Sequence, residues 1–110
     1  MKLLITIIER GKGEDVTDLI SKYKIDYNII FLGQGTATSS MLDYFSLTNT
    51  DKDIVLSLID EGDEDAVLND LEEEFEFSKK HLGMAFTVDL TSMNRLAYKK
   101  LMEEGVLHDK

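Results

Sequence analysis

Lys2-Leu3-Leu4-Ile5-Thr6-Ile7-Ile8-Glu9 reads as a β-strand buried on both sides. It is rich in β-branched residues, and both of its parities are apolar: Leu4 and Ile8 on one, Leu3, Ile5 and Ile7 on the other. Such a strand belongs inside a sheet with apolar material against each face. The run is far shorter than the roughly 20 residues a membrane span requires. No small-residue cleavage site follows it, so a signal peptide is not expected and the cytoplasm is the expected location.

Arg10-Gly11-Lys12-Gly13 is a turn, and beyond it the period changes. Val16, Leu19, Ile20 and Tyr23 have i, i+3, i+4, i+7 spacing, which predicts a helix over 14–24 with one inward face. Glu14 and Asp15 fall in its first turn, where negative charge is favourable. A second strand is predicted over 27–32, broken by Gly33-Gln34-Gly35. Residues 36–51 form a long connection rich in Thr, Ser and Asp. Ser39 or Ser40 would cap a short helix at Met41-Leu42-Asp43-Tyr44-Phe45. Lys52 to Ile59 is the third strand, and its two parities are again both apolar.

A second helix is predicted from Asp63 to about Glu74, with Val67, Leu68, Leu71 and Phe75 inward. Ser78-Lys79-Lys80-His81-Leu82-Gly83 is expected to be a loop, and Met84 to Leu90 a fourth strand. Thr91 or Ser92 would cap a third helix with a stripe of Met93, Leu96, Ala97 and Leu101, ended by Gly105. The order βαββαβ with a C-terminal helix predicts an α+β, ferredoxin-like sandwich: a four-stranded antiparallel sheet with two helices on one face. Residues 1–90 would form that domain, with 33–52 as its long loop, and 91–110 the C-terminal helix and tail. The sheet face without helices must then meet something apolar. Either the C-terminal helix covers it or other copies of the chain do, and homo-oligomers are common enough to favour the copies.

Composition narrows the function classes. A chain of 110 residues with 43% hydrophobic content is one small globular domain. It has no cysteine, which excludes disulfides, thiolate metal sites and cysteine nucleophiles. A formal net charge of −10 repels phosphate backbones and anionic membranes, so neither nucleic-acid binding nor membrane insertion is expected. The acidic runs Asp60-Glu61-Gly62-Asp63-Glu64-Asp65 and Glu72-Glu73-Glu74 lack the spacing of an EF-hand. His81 and His108 make neither a triad nor a zinc site.

The first strand, Asp15-Val16 early in the first helix, and Gly33-Gln34-Gly35 at the end of the second strand together resemble nitrogen-regulatory PII proteins. Gly33-Gln34-Gly35-Thr36-Ala37 is similar to the Gly-x-Gly-Thr-Ala of a divergent PII-like branch. The resemblance covers about residues 1 to 97. It implies a ferredoxin-like homotrimer that binds ATP or ADP in clefts between subunits, often with 2-oxoglutarate, and that reports metabolic state to a target through its T-loop, here 36–51. It implies a signalling protein without enzymatic activity, with no required cofactor and an adenine nucleotide as effector. The family's B-loop is a Thr-Gly-Lys/Arg-x-Gly-Asp-Gly-Lys run, whereas here Ser78-Lys79-Lys80-His81-Leu82-Gly83 keeps one glycine and two lysines. Arg95 alone stands where the family has Arg-x-Arg.

The resemblance therefore nominates Gly33, Gln34, Gly35, Thr36, Lys79, Lys80, Gly83 and Arg95 as effector-binding. Each has a plainer reading. The glycines are a tight strand exit, the lysines a solvated loop that offsets the acidic helix before it. Arg10-Gly11-Lys12-Gly13 before a helix would suit an anion, but an exposed turn is the better reading. The alternative function is a structural or effector-binding oligomer of the same kind that no longer binds nucleotide. A small acyl-phosphate hydrolase on this fold needs a phosphate-cradling loop after the first strand, for which Glu9-Arg10-Gly11-Lys12 is a poor substitute.

Overall fold

A computed structural model describes residues 1–24, 27–34, 51–80 and 83–104. Four strands form one sheet: β1 (Lys2–Glu9), β2 (Tyr27–Gln34), β3 (Asp51–Ile59) and β4 (Gly83–Asp89). Their order across the sheet is β2-β3-β1-β4, and every neighbouring pair is antiparallel. Helix α1 (Gly13–Ile20) follows β1, and α2 (Glu64–Phe75) follows β3 after a 3-10 turn at Glu61–Asp63. This is the ferredoxin-like βαββαβ arrangement that the element order predicts. A four-residue helical turn, α3 (Phe77–Lys80), leads into β4, and α4 (Arg95–Glu104) follows it.

Alternation along the strands builds the core. Leu4 and Ile8 of β1 and Val55 and Ile59 of β3 face Val16 and Ile20 of α1 and Val67, Leu71 and Phe75 of α2. Each of these buried side chains contributes about 2 kcal/mol relative to exposure. Thr6 and Ser57 lie on the same parity, fully buried, and their hydroxyls have no hydrogen-bond partner among the described residues.

Several boundaries differ from the sequence expectation. The first helix ends at Ile20 rather than Lys24, because Tyr23 N–H turns back to the Ile20 carbonyl and the Tyr23 hydroxyl donates to Asp70 of α2. The second strand does not stop at Leu32: Gly33 and Gln34 stay in register opposite Lys52 and Asp51. Where a loop was expected after α2, Glu76 adopts a left-handed conformation (φ 53°) and α3 follows. The Glu72 carboxylate caps this turn by accepting from the Ser78 backbone N–H and hydroxyl. The C-terminal helix begins at Arg95, so Met93 precedes it. The helix expected at 41–45 and the stop at Gly105 lie outside the described residues.

The opposite sheet face carries three apolar rows running from β2 to β4: Tyr27–Leu58–Leu3–Val88, Ile29–Leu56–Ile5–Phe86 and Phe31–Ile54–Ile7–Met84. Phe31 is 48% exposed and Val88 42%. The C-terminal helix does not seal this face; its own Leu96 is 70% exposed. One short helix that begins six residues past Asp89 has too little apolar surface to hide three rows.

Candidate functional site

The apolar rows end in a charged one. At the rim where β2 ends and β3 begins, Gly33, Lys52 and Glu9 lie side by side on the same face as the rows. Lys52 is 3% exposed, and its ammonium has no hydrogen-bond partner among the described residues. Burial pushes its pKa down, opposed by the negative charges of Glu9 and Asp51. An ammonium held this way is costly unless an anion meets it.

The next residue points to the other face. One oxygen of Asp53, Oδ2, accepts from the backbone N–H groups of Gly11 and Gly13, both at 2.9 Å. Oδ1 accepts no hydrogen bond among the described residues but faces Arg10 Nε at 3.4 Å. The anion cradle readable in Arg10-Gly11-Lys12-Gly13 is thus filled from within: Asp53 caps α1 from a distant strand, where the helix dipole favours it. Lys12, at the N-cap position, supplies no side-chain cap. A Cβ at Gly13 would stand 2.9 Å from Asp53 Oδ2, so glycine is what lets the carboxylate in. Arg10 turns inward as well, its Nη2 donating to the carbonyls of Gly33 (2.9 Å) and Lys52 (3.2 Å).

The nominated residues are only partly brought together. Gly33 and Gln34 close β2 beside Lys52. Gly83 opens β4 at the same end of the sheet, but on the opposite edge, about 14 Å away by strand spacing. Its backbone lies so close to β1 that a Cβ would collide with the Ile7 carbonyl oxygen, which gives this glycine a packing role. Lys79 is exposed on α3, and Arg95 is exposed at the start of α4, which follows the other end of β4. No described contact joins either to Lys52. Gly35 and Thr36 lie outside the described residues, as does the Lys80 side chain. Lys52, Arg10 and Asp53 were not nominated from the sequence. The signal was there in Asp53, an acidic residue on the same strand parity as the core residues Val55 and Ile59.

The hollows among the described residues lie away from Lys52. One of about 500 Å³ between α1 and β2 is lined by Glu14, Thr17, Asp18, Ser21, Asn28 and Ile30. It is acidic and lies on the helix side, away from Lys52. Among the described residues no three His, Asp or Glu side chains gather to hold a metal ion, and no helix is long and apolar enough to cross a membrane.

No family model and no curated protein sequence matches the chain. Among solved structures it is similar to CPII of Thiomonas intermedia K12, a nitrogen regulatory PII-like protein. The apo form superposes with a TM-score of 0.60 at 20% identity, over 81% of this chain and 87% of that one. The fold is that of the PII-like proteins. CPII bound to ADP, AMP and acetate superposes at 0.65, over 86% of this chain and 90% of that one, again at 20% identity. CPII bound to ADP, AMP and bicarbonate gives 0.59 at 20% identity, over 84% and 92%. These PII-like matches share the ferredoxin-like sheet; the residues that define a ligand are not carried over at that identity.

Proposed function

We propose that this chain is a PII-like regulatory protein, not an enzyme, whose copies associate through the bare sheet face and hold an adenine nucleotide at the Lys52 rim. The observation that carries the reading is the buried Lys52 ammonium, with no hydrogen-bond partner among the described residues, at the edge of the apolar face. A second copy laid on that face would leave a cleft at its rim, and the ammonium would meet a phosphate or small carboxylate there as a point charge. Association also answers the placement of Gly33 and Gly83: opposite edges of one sheet approach each other between neighbouring copies, not within one. CPII, with ADP, AMP and either acetate or bicarbonate bound, supports an anionic nucleotide as the effector class. A homotrimer in the cytoplasm is the form the resemblance favours, with Gly33, Gln34, Gly35, Thr36, Lys79, Lys80, Gly83 and Arg95 drawn on from the copies around each cleft. The residues around 36–51 would contact a target in nitrogen or related metabolism, with neither nucleic acid nor a membrane as partner.

A second reading is an oligomer of this fold without nucleotide binding. It is favoured by the isolation of Lys79 and Arg95 from Lys52 in the single chain. Titration calorimetry with ADP, AMP and ATP decides between them. Saturable binding of ADP by the wild-type chain is the expected result. Heat changes indistinguishable from dilution at millimolar nucleotide would leave only the second reading.

A further inference from the structure

The end of the β2–β3 hairpin where β2 ends and β3 begins is held by a residue that belongs to neither strand. Arg10, at the end of β1, donates from Nη2 to the Gly33 carbonyl at 2.9 Å and to the Lys52 carbonyl at 3.2 Å, and from Nε to the Lys52 carbonyl at 3.3 Å. Gly33 and Lys52 are opposite one another, so one planar guanidinium spans the last rung but one of the ladder. The guanidinium is itself fixed, with Asp53 Oδ1 at 3.4 Å from Nε, while Asp53 Oδ2 is anchored by two glycine N–H groups of the turn that carries Arg10. The result is a closed loop of contacts: turn to Asp53, Asp53 to Arg10, Arg10 to both hairpin strands.

A hairpin end without such a clasp frays, since its last backbone groups have water as the competing partner. Fixing the Lys52 carbonyl fixes its Cα, and with it the point from which the ammonium reaches the rim. A lysine at position 10 would supply charge and a donor, but not the rigid fork that addresses two carbonyls at once.

We propose that Arg10 is a positioning residue for Lys52, locking the Gly33–Lys52 end of the hairpin, and that Asp53 locks Arg10. The inference rests on the reading that Lys52 meets the anion, but it is tested separately by a measurement that needs no ligand. In the full chain, Arg10→Met and Arg10→Lys are compared with wild type by amide hydrogen exchange and by ADP calorimetry. Exchange in both variants accelerates roughly tenfold at residues 32–34 and 51–53, while the mid-sheet amides of Leu4 and Val55 keep wild-type protection. ADP affinity falls roughly tenfold in Arg10→Met and by about threefold or more in Arg10→Lys. Two results overturn the proposal: unchanged exchange at the hairpin end, or an Arg10→Lys protein that binds as tightly as wild type while Arg10→Met does not. The latter would mean that Arg10 acts through its charge alone. Should wild type bind no ADP, the function proposed for the site falls and the exchange data alone decide the role of Arg10.

Discussion

Lys52 sits where a folding chain would not choose to put a cation: 3% exposed, at the rim of an apolar face, with no described acceptor for its three protons. Burial lowers its pKa, so the unfolded chain holds that proton more tightly than the folded one does. Stability therefore rises with pH through the window below 10.5, as the folded ammonium gives up its proton before the unfolded one. Lys52→Met keeps the stem and removes the charge. It is expected to raise stability at neutral pH by on the order of 1 kcal/mol and to lose the alkaline gain. The same variant should bind ADP more weakly than wild type, the exchange of stability for function usual at a binding site. Urea unfolding at pH 7 and pH 10, with a parallel ADP titration, checks both halves. A variant that is less stable and binds equally well would show Lys52 to be a structural residue.

At the level of elements, the joint between α1 and α2 carries its own pH signature. The Tyr23 hydroxyl donates to Asp70, and Lys22 Nζ stands 3.0 Å from the same carboxylate. Desolvation first, and then the Asp70 carboxylate, push the Tyr23 pKa up to about 12 from 10.0. The bond to Tyr23, and then Lys22, hold Asp70 below its usual 3.8. Between pH 10 and about 12 the unfolded chain loses the tyrosine proton first, so stability falls across that range. On the acid side, the Asp70 contribution is present above 3.8 and is lost as pH falls through its lowered value. Tyr23→Phe is expected to cost about 1 kcal/mol at neutral pH, discounted for partial exposure, and to flatten the alkaline decline. Urea midpoints at pH 7 and pH 11 measure it. This joint also shows where sequence reading stops. The 3.6 and 2.0 periods give the four strands and the helices α1, α2 and α4 in order, because they record which side of each segment is buried; the short turns at Glu61–Asp63 and Phe77–Lys80 carry too few residues for a period to show. They could not place the end of α1, since the residue that bends it away, Tyr23, answers to a partner 47 positions on. Gly33 has the look of a strand breaker, yet the ladder to Lys52 runs through it. The site was harder still to read, because Arg10 and Asp53 act on backbone groups, which carry no residue-type signature.

For the whole molecule, the decisive feature is an asymmetry. One face of the sheet is closed by two helices over a packed core, and the other shows three apolar rows with no described element across them. The net charge of −10 keeps such a chain soluble but does not hide that face. The exposed Phe and Ile of this face are already more than half covered, so burying the rest of each contributes about 1 kcal/mol, and it is the three rows together that offset the entropy of association. The proposed nucleotide cleft, the approach of opposite sheet edges and the role proposed for Lys52 all require that sister copies cover this face. Light scattering on the eluting peak of a gel-filtration run tests it most directly. The account predicts a mass near three times the 12.5 kDa of one chain. A folded species of 12.5 kDa at micromolar concentration would contradict it.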